Sequence, residues 1–132
     1  MPTNLELTRK GYEFFLKGDI EALLRDIIDE DCQWVIPGPR DKITWAGAFS
    51  GKVQIGNFFK LLAQNVEFTK FEPRQMIDGG DTIVVIGSAA GRMKSTGKDF
   101  KNEWVQVARY RSGRMIAFQD YSDTAQLAAA LT

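Results

Sequence analysis

Fourteen residues carry the chain from Gln106 to Asp120, with a hairpin turn between them, and this stretch constrains the fold more than any other. It reads Trp104-Val105-Gln106-Val107-Ala108-Arg109-Tyr110, then Arg111-Ser112-Gly113, then Arg114-Met115-Ile116-Ala117-Phe118-Gln119-Asp120-Tyr121. Side chains alternate faces along a strand, so residues of one parity share a side of the sheet. A three-residue loop at Arg111-Ser112-Gly113, with Gly113 at positive φ, predicts a bulged hairpin. In that register Tyr110 faces Arg114, Ala108 faces Ile116, Gln106 faces Phe118 and Trp104 faces Asp120, with Gln106 diagonal to Asp120. One face then carries Trp104, Gln106, Ala108, Ile116, Phe118 and Asp120. A carboxylate on so apolar a surface is costly to bury, which marks it for chemistry or binding.

The rest of the composition narrows the chemistry by exclusion. At 132 residues the chain suits one domain over 1–132. It contains no histidine, which removes Ser-His-Asp and Cys-His mechanisms and imidazole metal sites. Cys32 is the only cysteine, so an internal disulfide and a thiolate-rich zinc site are excluded. Acid–base work falls to a carboxylate, a tyrosine, a lysine or water. Lys plus Arg, at 17, equals Asp plus Glu, at 17, and zero net charge argues against nucleic acid or an anionic membrane as the main partner. No signal peptide or bilayer-spanning apolar run is read, and a cytoplasmic location is the expectation.

Periodicity places the remaining elements. Thr3 or Asn4 caps a first helix with Leu5, Thr8, Tyr12, Phe15 and Leu16 as its stripe, ended by Gly18. Asp19 caps a second helix whose apolar face is Ile20, Leu23, Leu24, Ile27 and Ile28, with Asp29-Glu30-Asp31 as a solvated end. Cys32–Ile36 reads as a short strand broken by Pro37-Gly38-Pro39, and residues 40–50 as a loop holding Trp45. Ser50 or Gly51 opens a third helix. Strands follow at about 66–77, 82–94, 98–110 and 114–122, then a short Ala-rich helix that Asp123 caps. Helices followed by a meander are an α+β arrangement. A cone-shaped, curved antiparallel sheet covered by three N-terminal helices is predicted, with a cavity inside.

Three clusters of residues, in this order, resemble the SnoaL-like and ketosteroid isomerase-like superfamily, also called the nuclear transport factor two-like fold. They are Tyr12…Leu16-Lys17-Gly18-Asp19, Trp45-Ala46-Gly47…Gly51, and Ser112-Gly113-Arg114-Met115-Ile116…Asp120-Tyr121-Ser122-Asp123-Thr124. The resemblance spans nearly the whole chain. It implies polyketide cyclases, steroid isomerases, epoxide hydrolases, dehydratases and small binding domains as relatives, so the fold alone fixes no function. In the cyclases an aspartate on the last strand abstracts a proton and a histidine on the preceding strand assists. The resemblance puts Asp120 at the first position and Gln106 at the second. Epoxide hydrolases also match at Asp120, but their Arg and Asp on the strand before are replaced by Gly87-Ser88-Ala89-Ala90. The steroid isomerase base falls at Ile36 and its oxyanion-hole tyrosine near Gly11, beside Tyr12, which points away from that route.

Two readings of the acid follow. Desolvation among Trp104, Ile116 and Phe118 raises the Asp120 pKa toward that of a useful general base, with Gln106 orienting it or polarising a substrate carbonyl. The competing reading has both groups merely solvated. Tyr12 either points its hydroxyl into the cavity or is a core tyrosine with a satisfied hydroxyl. Trp34, Trp45, Trp104 and Phe118 are candidate walls for an apolar ligand, with Trp45 as a lid, while Phe58 and Phe59 read as core. The alternate face, with Val105, Val107, Met115 and Ala117, suits a homodimer through the sheets, as the resemblance also implies. The sequence thus supports a cofactor-free, metal-free enzyme of the isomerase, cyclase or hydratase-like hydrolase kind, with Asp120 and Gln106 as catalytic residues. The alternatives are a non-catalytic binding domain for a small apolar molecule and a dimerization module with a filled core.

Overall fold

Local capping chemistry sets where the helices begin. A computed structural model describes all residues, 1–132. Thr3 accepts a hydrogen bond from the Glu6 N–H, and the Glu6 carboxylate accepts one from the Thr3 N–H, a reciprocal capping box that starts α1 (Asn4–Leu16). Gly18, at φ 74°, supplies the left-handed residue that ends it. The Asp19 carboxylate accepts from the Ala22 N–H and opens α2 (Ile20–Asp26). The chain continues through β1 (Ile28–Ile36), β2 (Gly47–Ser50), α3 (Gly51–Asn65), β3 (Val66–Asp78), β4 (Thr82–Met93), β5 (Asp99–Arg111), β6 (Arg114–Ser122) and α4 (Thr124–Ala130). Asp123 caps α4 by accepting from the Gln126 N–H.

Two stretches differ from the sequence expectation. The second helix stops at Asp26, and Ile28 already belongs to β1. Ile27 and Ile28 are fully buried, and an apolar pair satisfies a helix face or a strand core equally well, so periodicity could not separate them. Asp29, Glu30 and Asp31 lie on that strand rather than on a helix end, and they do remain at the surface. Within residues 40–50 the chain forms β2, which pairs with β1 so that Trp34 faces Phe49.

All six strands form one sheet in the order β2-β1-β6-β5-β4-β3. β1 runs parallel to β6, and every other neighbouring pair is antiparallel. The α+β arrangement is therefore as expected, but the sheet is mixed, because the first strand returns to lie beside the last. Register shifts in β1–β6, β3–β4 and β5–β6 mark bulges, which bend and twist strands and curve the sheet. β3 is an edge strand, which is where Pro73 is tolerated, since a proline has no N–H for a second neighbour.

The helices close over the curved sheet. α3 packs on β1, β2 and β3, α1 on β3 and β4, and α4 on β5. Beneath them a continuous core runs from Leu7 and Leu23 through Ile55, Ile83 and Met93 to Leu127. Gly87 has a packing role there. A Cβ built on it would lie 2.4 Å from the Trp104 ring and 2.5 Å from the Glu72 carbonyl, so only glycine lets Trp104 lie across β4. No helix is long and apolar enough to cross a membrane.

Candidate functional site

The β5–β6 hairpin supplies the polar floor of the cone. On β5 the residues of even number, Asn102, Trp104, Gln106, Ala108 and Tyr110, are all buried. The turn itself is tighter than the expected three-residue loop. Arg111 pairs with Arg114, leaving Ser112 and Gly113 as a two-residue turn at φ 51° and 77°. Positive φ at both central residues is the type I′ geometry that suits a twisted hairpin. Tyr110 then pairs with Met115 but Arg109 with Ala117, so Ile116 is the extra residue of a bulge. These two departures shift the register of the remaining pairs by two. Gln106 therefore faces Asp120 directly, and Trp104 faces Ser122. Met115, expected outside, turns inward and takes the place expected for Ile116.

Direct opposition makes a chain of hydrogen bonds. The Gln106 Nε2 donates to Asp120 Oδ1 at 2.9 Å, and the Ser122 hydroxyl donates to Asp120 Oδ2 at 2.5 Å. On the other side the Tyr12 hydroxyl, from α1, donates to Gln106 Oε1 at 2.6 Å. The polarity is self-consistent: an ionised Asp120 only accepts, so Gln106 must present its NH₂ to it, and its oxygen is left for Tyr12. Gln106 thus has a partner at both ends of its amide and orients the acid, with one of its two Nε2 hydrogens left without an acceptor in the protein.

Burial dominates the electrostatics. Asp120 is 5% exposed, and desolvation pushes its pKa above the ordinary carboxylate range, while the bonds from Ser122 and Gln106 hold it back. Burial, followed by the nearby Tyr110 and Asp120, raises the Tyr12 phenol well above its usual value, so Tyr12 stays a donor at neutral pH. Tyr110 is pushed up to about 12, chiefly by burial. Its hydroxyl meets Thr8 Oγ1 at 2.7 Å, and Thr8 spends its own hydrogen on the Asn4 carbonyl, so Tyr110 donates. Cys32 is pushed up to about 12 by burial and Asp29, which leaves it an inert thiol.

Two adjoining chambers open on this network. One, of about 90 Å³, is bordered by Thr8, Tyr12, Phe15, Trp34, Met115 and Phe118 among others and is almost wholly apolar. The other, of about 80 Å³, is bordered by Trp45, Phe100, Asn102, Trp104, Asp120 and Ser122. Gln106, Ile36, Phe58, Leu62 and Phe71 border both, so Gln106 stands on the shared wall. Neither lining contains a lysine or an arginine. Aromatic faces build the walls: Trp34 stacks on Phe118 at 3.8 Å between centroids, and Trp104 stacks against Tyr12 and Phe71 at 6.0 and 5.0 Å, with those two rings 6.3 Å apart.

The structure thus gathers every residue singled out from the sequence, but in two groups. Tyr12, Trp34 and Phe118 border the apolar chamber; Trp45, Trp104 and Asp120 border the acidic one. Trp45 is a buried wall, not an exposed lid, because the segment around it is tied down beside β2. Phe58 and Phe59 belong to the core and also line the apolar chamber. Ser122 and Asn102 were missed. The signal for both was parity, two residues from Asp120 and from Trp104 on the same strand faces. No group of three His, Cys, Asp or Glu side chains is placed to hold a metal.

The architecture and its buried acid set the frame for comparison with known proteins. A family model described as a SnoaL-like domain matches residues 8–118. The chain belongs to the SnoaL-like family. This SnoaL-like domain superposes on the crystal structure of an NTF2-like protein from Burkholderia xenovorans LB400 with a TM-score of 0.89, at 29% identity, over 100% of this chain and 99% of that one. It superposes on TerC, co-crystallized with polyporic acid, with a TM-score of 0.83, at 24% identity, over 97% of each chain. A candidate SnoaL-like polyketide cyclase from Mesorhizobium loti gives a TM-score of 0.74 at 16% identity, over 91% of this chain and 99% of that one. These last two likenesses establish the shared fold. No curated protein matches the chain by sequence.

Proposed function

We propose that this SnoaL-like domain is a cofactor-independent small-molecule enzyme of the isomerase or cyclase kind, with Asp120 as general base on an apolar carbonyl compound. One observation carries the reading: a carboxylate 5% exposed borders a chamber that offers it no cationic partner. Burial weakens the ionised form, so Asp120 is a stronger base than a solvated aspartate. In the step it supports, the carboxylate takes a proton from the carbon beside a carbonyl, and the bonding pair moves onto the carbonyl oxygen as an enolate. Returning the proton to another carbon gives an isomerase. Attack of the enolate carbon on a second carbonyl of the same molecule gives a cyclase. Proton removal from water, for attack on an epoxide-type substrate, uses the same acid.

Gln106 and Ser122 hold Asp120 in place, and Tyr12 holds Gln106. Trp34, Trp45, Trp104 and Phe118 form flat walls that exclude water, which strengthens electrostatic interactions inside. The co-crystallization of TerC with polyporic acid supports an interior that takes small molecules. The test uses 2-tetralone, a flat apolar ketone with acidic α-hydrogens, in D₂O. The protein accelerates deuterium uptake beside the carbonyl, followed by NMR, and Asp120→Asn lowers that rate by about 10²–10⁴-fold. Uptake no faster than in buffer alone sinks the reading.

A second reading, a non-catalytic binding domain, is favoured by Gln106 itself. An amide stands where the resemblance places a histidine, and an amide cannot carry a proton onward. That reading predicts ketone binding without deuterium uptake. A homodimer through the outer sheet face goes with either reading, since Val84, Ile86, Val105 and Val107 are only half-buried there. Sedimentation equilibrium giving the monomer mass would remove it.

A further inference from the structure

The acidic chamber contains a second polar amide that the proposed chemistry has not used. Asn102 is buried, 8% exposed, and lies on the same face of β5 as Trp104 and Gln106. Its Oδ1 accepts a hydrogen bond from the Asp123 N–H at 3.0 Å, an N–H shared more loosely with the Glu103 carbonyl at 3.3 Å. A backbone N–H can only donate, so this bond fixes which way the amide points: oxygen toward the start of α4, NH₂ away from it. The NH₂ group has no acceptor in the protein. It is also not sealed in, because the buried side-chain nitrogens lacking a partner are the indole nitrogens of Trp34 and Trp104 alone. Asn102 borders the acidic chamber, which offers its free N–H groups an open space.

We propose that Asn102 is the donor that binds the ligand oxygen in this chamber, and that the ligand is a neutral carbonyl compound. This rests on the general-base reading of Asp120 and completes it. Gln106 uses its oxygen for Tyr12 and one of its two Nε2 hydrogens to hold Asp120, whereas both N–H groups of Asn102 lack an acceptor. Asn102 is the amide with donors to spare. The geometry suits a small ligand. Asp120 Oδ2 turns toward Ser122, which sits opposite Trp104, and Trp104 is two residues, about 7 Å, from Asn102 along β5. Asp120 itself lies opposite Gln106, four residues or roughly 13 Å along β5 from Asn102, and its Oδ2 turns to the Ser122 side, which is the side nearer Asn102. Neutrality follows from the lining: with no lysine or arginine and one carboxylate, a ligand carboxylate or phosphate would be buried unpaired beside a like charge.

The experiment compares 2-tetralone with tetralin, the same ring system without the carbonyl, by calorimetric titration at pH 8. The native protein binds the ketone about tenfold more tightly, as one hydrogen bond to a buried donor provides. Asn102→Asp keeps an oxygen for the Asp123 N–H but removes the donor, and Asn102→Leu removes both. The ketone preference disappears in both variants. Melting temperature is followed alongside, since a purely structural Asn102 lowers it in Asn102→Leu while leaving the ketone preference intact in both variants. No ketone preference in the native protein, or its persistence in both Asn102 variants, overturns the assignment. Failure of the native protein to speed deuterium uptake removes the general base instead, and leaves the ketone preference standing.

Discussion

The two chambers share a wall and differ in what their walls can do. The apolar chamber is closed by stacked rings, with Trp34 on Phe118 and Met115 filling beside them. The acidic chamber spends burial on groups that resist it: Asp120, Asn102, Ser122 and one face of Gln106. The first is held by packing and the second keeps polar groups out of water, and Gln106 divides them. One fold therefore holds side by side a region where a substitution should cost packing and one where removing the buried charge should relieve desolvation.

Asp120→Asn gives the largest expected contrast. Deuterium uptake falls by the factor given above, yet the protein becomes more stable at neutral pH. The sign follows from the raised pKa: the folded state favours the protonated acid, so this group's stabilisation is full below the ordinary aspartate range and is lost as pH rises through the raised folded value. Melting curves against pH show the gap between variant and native protein closing at acid pH. A variant less stable than the native protein at neutral pH would mean that the bonds from Ser122 and Gln106 outweigh desolvation.

Phe118→Ala probes the other chamber. It removes one face of the Trp34 stack and a ring that is 7% exposed, and should cost about 3–5 kcal/mol by chemical denaturation. The pH dependence of stability should be unchanged, since Asp120 keeps its partners. A changed pH dependence would show that the wall between the chambers does not insulate them.

Ser122→Ala sharpens the acidic side. A bond to a charged group contributes about 1.5–3 kcal/mol, so stability at neutral pH falls by that order. The Asp120 pKa moves further up, and the acid limb of the deuterium-uptake profile moves with it. A profile that stays in place would show that Ser122 is not a partner of the ionised acid. Tyr12→Phe is the smallest effect, about 0.5–1.5 kcal/mol from one neutral hydrogen bond. Its sharper readout is the Gln106 side-chain amide signal by NMR, which broadens once nothing holds the Oε1 end.

The two halves of the chain were not equally legible. Parity on β5 and β6 was enough to bring Trp104, Gln106, Phe118 and Asp120 to one face, because even a register slip of two preserves parity. The register itself was hidden. It depends on Ser112 taking a positive φ, which a serine does not advertise, and on a bulge at Ile116 that no residue type announces. In the N-terminal half the Asp19 cap was plain and the first cap was narrowed to Thr3 or Asn4, but Ile20, Leu23, Leu24, Ile27 and Ile28 read as one helix face. Ile27 is instead the C-cap of α2 and Ile28 a strand residue, because β6 provides a neighbour for Ile28 that lies far along the chain. Asn102 and Ser122 escaped notice for a different reason. A small polar residue in a strand is ordinary, and its meaning came only from what surrounds it.

The parallel pairing of β1 with β6 also has a consequence for how the protein is made. Residues 28–36 find their permanent neighbour in residues 114–122, so the ribosome must deliver about eighty intervening residues before the sheet can close. Until then the β2–β1 pair has α2 and α3 to pack on but no third strand, and the Trp34 face that stacks on Phe118 is uncovered. Contacts of such long sequence separation slow folding. The window between synthesis of Trp34 and arrival of Phe118 is the period in which a nascent chain most needs shelter from its neighbours.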